Sequence, residues 1–153
     1  MSKTLFMEST KIEVAKTLTE IEYLLSQAGA TGIAKDYKDK RPVALYFRLA
    51  VGAQEIPFML PARVEPIFVV LQKRLQPQNR TKRAAQTLEQ AERVAWRQIL
   101  RWTEAQLALI ETGMVEAVEV FMPYIQVGEH QTFFSRLKEG GFKLLPATTE
   151  AAT

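Results

Sequence analysis

The chain has 153 residues, 47% apolar and 24% charged, which is the size and composition of one ordinary globular domain that needs no cross-links to fold. It contains no cysteine, which excludes a disulfide framework, a thiolate zinc site and a cysteine nucleophile, and fits a reducing compartment. The net charge of +3 is small but unevenly spread. Residues 73–101 carry Lys73, Arg74, Arg80, Lys82, Arg83, Arg93, Arg97 and Arg101 against Glu89 and Glu92, a balance of +6. Residues 102–130 carry Glu104, Glu111, Glu116, Glu119 and Glu129 with no Lys or Arg, a balance of −5.

In chain order, residues 1–16 show no clean period and read as a flexible N-terminal arm. Their mixed charge lacks a signal-peptide core, and the apolar stretch around 56–60 is far too short to span a bilayer, so the expected location is cytoplasmic, with no membrane partner. A helix is expected next. Thr17 and Glu20 form a capping-box pattern, Leu18, Ile21, Leu24, Leu25 and Ala28 share a face, and Gly29 stands where a C-terminal cap belongs. Three strand-like runs follow at 31–37, 43–51 and 54–60, with a charged turn at 38–42. The middle run alternates cleanly, Val43, Leu45, Phe47, Leu49 and Val51 on one face and Ala44, Tyr46, Arg48 and Ala50 on the other. Gly52-Ala53 suits a two-residue hairpin turn, and Pro57 assigns the third strand to an edge or a bulge.

The period then turns helical over 61–75, with Pro66 acceptable only in the first turn. Residues 76–83 (QPQNRTKR) hold no apolar side chain and read as an exposed loop. A long helix is predicted over 84–112, stopped by Gly113; its apolar second half requires either a central place in the fold or burial by a partner. Short helices at 115–121 and 131–139 and a disordered tail at 146–153 complete the chain. The predicted fold class is α+β, a single domain over 17–145. It comprises an N-terminal helix, a three-stranded antiparallel meander and a helical C-terminal half.

No catalytic constellation emerges. His130 is the only histidine and reads as a solvent-exposed side chain; Glu104, Glu111, Glu116 and Glu119 lack the histidine element of a di-metal carboxylate site and read as solvated surface. Phosphate-loop glycine patterns are absent. The chain is therefore read as a non-enzyme without metal or cofactor. The basic segment points to nucleic acid: Lys73, Arg74, Arg80, Lys82 and Arg83 bracket the exposed loop, and Arg93, Arg97 and Arg101 recur every four residues along the long helix. Trp96 and Trp102, and Tyr46 beside Arg48, are the stacking candidates, with core packing as the competing place for both Trp residues. The arginines precede the glutamates along the helix, against the order that the helix dipole favours, which suggests that the charges serve a partner. A second copy is one such partner, because basic and acidic ends are complementary head to tail. A protein-interaction module that does not bind nucleic acid is the alternative.

Glu92-Arg93-Val94-Ala95-Trp96-Arg97, Trp102, Ala105-Gln106-Leu107, Ile110-Glu111-Thr112-Gly113-Met114 and Phe121-Met122-Pro123-Tyr124, with Leu25-Ser26-Gln27-Ala28-Gly29-Ala30-Thr31-Gly32-Ile33 and Leu60-Pro61-Ala62 upstream, resemble a family of small uncharacterised bacteriophage proteins over roughly 17–125. In layout alone, the helix, meander and following helix are similar to the core of phage single-strand annealing proteins. That resemblance implies single-stranded DNA bound in a basic groove, ring or filament assembly, and a role in recombination.

Overall fold

A computed structural model describes residues 3–144 and 146; the expected tail at 146–153 lies, but for Pro146, outside the described residues. The elements are α1 (Val14–Gln27), β1 (Gly32–Lys38), β2 (Arg41–Val51), β3 (Gln54–Pro61), α2 (Glu65–Arg74), α3 (Pro77–Arg80), α4 (Ala84–Glu111), α5 (Ala117–Phe121), a 3-10 turn (Met122–Tyr124), β4 (Gln126–Gly128), β5 (Gln131–Thr132) and α6 (Phe133–Glu139). The predicted α+β class and element order hold: an N-terminal helix, a three-stranded antiparallel sheet in the order β1-β2-β3, then a helical half around one long helix.

The sheet follows from its alternation. Leu45, Phe47 and Leu49 of β2 pair across to Leu60, Phe58 and Ile56 of β3, so one face of the hairpin is a continuous apolar layer. The turn at Gly52 has φ 61°, a conformation that favours glycine, and Val51 pairs with Gln54 across it. β3 is an edge strand, as Pro57 demands, and Phe58 makes one further bridge to Ile125. The β1–β2 connection is tighter than expected. Lys38 pairs with Arg41, leaving only Asp39 and Lys40 to turn, both at positive φ as a primed hairpin turn requires.

Against the apolar layer pack Leu18, Ile21 and Leu25 of α1, Trp96 and Leu100 of α4, and Phe121 of α5. Phe47 and Phe58 stack at 5.1 Å between centroids, and Phe121 meets Phe47 edge-on at 5.4 Å. α4 is the helix against which both α1 and α2 pack. Ala91, Glu92 and the run Val94, Ala95, Trp96 and Arg97 are all buried, as is Leu100, so the middle of this helix is central to the fold, whereas Leu107, Leu109 and Ile110 near its end are only half-buried.

Three local expectations are corrected. α1 begins at Val14, ahead of the Thr17–Glu20 pair, which therefore sits inside the helix and caps nothing. The arm is held down: Gln90 donates to the carbonyls of Glu8 and Thr10 at 2.9 Å each, and Gln98 to that of Phe6 at 2.8 Å. The exposed loop at 76–83 contains one helical turn, with Pro77 in the first position, where its missing N–H matters least. The small β4–β5 hairpin has no counterpart in the sequence reading, since strands of three and two residues, with Val127 and Thr132 as their only β-branched side chains, are too short to show an alternation.

Candidate nucleic-acid interface

The arginines of α4 do not converge on a surface. Arg97 is 4% exposed, with Nη1 2.6 Å from Glu20 Oε2 and 3.4 Å from Thr17 Oγ1, so it cross-links α4 to α1. Arg93 donates through Nε to Gln90 Oε1 at 2.9 Å and lies 4.0 Å from Glu13. Arg101 pairs with Glu104 on its own helix at 2.9 Å, an exposed pair worth only a few tenths of a kcal/mol, ~0.2–0.5. Arg74, in the last turn of α2, pairs with Glu8 and donates to the carbonyl of Lys3 at 2.6 Å. Arg74, Arg93 and Arg97 are therefore withdrawn from the expected phosphate groove, and Arg101, exposed and only weakly paired, stands about 27 Å along α4 from Arg83. Their periodicity is real, but Glu8, Glu13 and Glu20 of the N-terminal region and Glu104 of α4 itself meet them.

Lys73, Arg80, Lys82 and Arg83 behave differently. They occupy the corner where α2 ends, α3 makes its single turn and α4 begins. Arg80 Nε donates to the Gln72 carbonyl at 3.1 Å while Gln72 Nε2 donates to the Arg80 carbonyl at 3.1 Å, which folds α3 onto the end of α2. All four side chains are exposed, and among the described residues none forms an ion pair. The cause is local composition: no Asp or Glu occurs between Glu65 and Glu89. The N-terminus of α4 also opens here, with no acid in its first turn and no side-chain cap on Arg83, so its positive dipole end adds to the same field.

The stacking candidates separate from this corner. Trp96 is fully buried among the core side chains and presents no face to a base; it is withdrawn as a stacking residue. Trp102, six residues on, is only half-buried. Tyr46 projects from the face of the sheet opposite to the one that α4 covers. Its hydroxyl donates to Asp36 Oδ2 at 2.7 Å and lies 3.2 Å from His130 Nδ1. His130 reaches there from the β4–β5 turn, where its φ is 56°. It is exposed as expected, yet tied to the sheet, a role that no local pattern announces.

Burial, followed by the hydrogen bond and charge of Asp36, pushes the Tyr46 phenol up to about 12. A raised value favours the neutral form, so what this phenol adds to stability is intact below pH ~10, its usual titration range, and lost as pH rises through about 12. In a phenolate absorbance titration, Tyr46 is expected to ionise at about pH 12, and Tyr46→Phe to abolish that late phase. A late phase that survives Tyr46→Phe, or no late phase in the unmodified chain, contradicts the assignment.

Among the described residues, no group of three or more His, Asp or Glu could hold a metal ion, and no helix is long and apolar enough to cross a membrane. Compared with known proteins, the chain matches no family model, no curated protein and no solved structure.

Proposed function

We propose that this chain binds single-stranded nucleic acid, with little sequence preference, through the basic corner between α2 and α4. One observation carries the reading: Lys73, Arg80, Lys82 and Arg83 are exposed and without a carboxylate partner among the described residues, while Arg74, Arg93, Arg97 and Arg101 are engaged. A free cation neutralises a phosphate and displaces a counterion condensed on the nucleic acid, whereas a cation already paired with a carboxylate must first give up that partner. The chemistry is phosphate neutralisation and needs no cofactor. Strand annealing in recombination, suggested by the layout of helix, meander and helix, belongs to the same reading.

The test is a salt titration of a labelled oligothymidine followed by fluorescence anisotropy. Four phosphate contacts to a single strand give a slope of about −2.8 in log affinity against log salt, or roughly a fiftyfold loss between about 50 and 200 mM. Affinity independent of salt excludes the corner as the binding surface.

A second reading rests on the other end of α4. Met114, 72% exposed, and Met122 stand among Glu111, Glu116 and Glu119, a greasy acidic surface suited to docking on a protein, a further copy of this chain included. That reading predicts no oligonucleotide binding at low salt, so the same titration separates the two.

A further inference from the structure

A cavity of about 270 Å³ opens between α2, α4 and the end of β3, close to the lower limit of ligand pockets at roughly 300 Å³. Ile67, Ile99, Trp102 and Tyr124 supply its apolar wall, and Gln98 and Arg63 its polar groups. Trp102 stands nearly perpendicular to Phe121 and Tyr124, at 76° and 67°, with centroids 5.6 and 5.5 Å away, so its ring plane is fixed by packing. Arg63 is exposed and, among the described residues, has no carboxylate partner. It lies two positions before the start of α2, whereas Lys73 lies in the last turn of that helix. The ten residues of α2 span about 15 Å, so free cations flank this helix at both ends, one at the cavity and the others at the basic corner.

We infer that this cavity receives an unpaired base of the strand whose phosphates occupy the corner, the base lodging against Trp102 and Tyr124 and Arg63 meeting the adjacent phosphate. The inference rests on the proposed reading of the corner and adds the element that distinguishes a single strand from a duplex. A base within a duplex is stacked and paired and presents no free face to the cavity, whereas every unpaired base offers one. The free cation at either end of α2 selects a nucleic-acid base over a free apolar ligand: a lone hydrophobic molecule has no use for Arg63 at the mouth.

The decisive comparison uses the unmodified chain with an oligothymidine and an abasic oligonucleotide of equal length and charge. The base-bearing strand is expected to bind on the order of tenfold to a hundredfold more tightly and to quench tryptophan fluorescence. The buried Trp96 supplies a constant background. Trp102→Phe is expected to remove the quenching, and Arg63→Ala to reduce the salt slope by about 0.7, one phosphate contact. Equal affinity for the two strands, with a full salt slope and no quenching, overturns the cavity assignment while leaving the corner in place. Failure of both strands to bind at low salt overturns the corner and the cavity together.

Discussion

Replacing Arg97 by alanine is expected to destabilise the protein by about 3 kcal/mol while leaving its affinity for single-stranded DNA unchanged. The guanidinium is buried between α4 and α1, and both its acceptors, Glu20 Oε2 and Thr17 Oγ1, lie on α1. Breaking a buried pair by removing one partner costs about 3–5 kcal/mol, because the group left behind has lost both water and counter-charge. Glu20 is about a third exposed and regains some hydration, which places the effect at the lower end. For a domain of this size that corresponds to a fall in Tm of roughly 6–12 °C in a thermal melt. The paired replacement Arg97→Met with Glu20→Leu should recover most of the loss, since an apolar pair of similar volume is often no worse than a buried ion pair. An Arg97→Ala protein that melts normally but no longer binds DNA returns Arg97 to the interface.

The second large effect runs the other way. Substituting Lys73, Arg80, Lys82 and Arg83 together by alanine is expected to weaken oligothymidine binding at about 50 mM salt by a thousandfold or more, with Tm almost unmoved. Each phosphate contact to a single strand contributes about 0.9 log units at that salt concentration, and four such contacts approach 3.6. Stability should hardly respond, because only Arg80 makes a side-chain hydrogen bond and all four are exposed. Anisotropy and thermal melts on the one variant give both readings. Retained, salt-sensitive affinity would relocate the phosphate path elsewhere. Together the two variants divide the basic segment into cations that hold the fold and cations that face outward.

That division is where the sequence stops being legible. The β2–β3 hairpin, the Gly29 cap of α1 and the ends of α4 were readable because each is dictated by residues within a few positions of one another. The Arg93, Arg97 and Arg101 stripe was equally readable as a stripe. What meets it was not: Glu20 is 77 positions from Arg97 and Glu13 is 80 positions from Arg93, and no local pattern reports such pairings. Thr17 and Glu20 were even misleading, since the spacing that resembles a helix cap also places both side chains on one face of α1 for a guanidinium from α4. The two tryptophans illustrate the same limit. Six residues on a helix rotate a side chain by about 120°, enough to put Trp96 in the core and Trp102 on a cavity wall. Composition alone does not say which is which. By contrast, the freedom of the corner cations was foreshadowed by the acid-free stretch between Glu65 and Glu89.

The way residues 3–10 are fastened has its own consequence. Gln90, Gln98 and Arg74 grip this segment through the main-chain oxygens of Glu8, Thr10, Phe6 and Lys3, and the Glu8 carboxylate adds a side-chain ion pair. A clasp made on carbonyls recognises the path of the chain and is nearly blind to which residues trace it. Apart from Glu8 and the half-buried Leu5 and Met7, the segment is thus free to drift in composition over evolution, whereas a one-residue insertion or deletion would put every oxygen out of step with its donor.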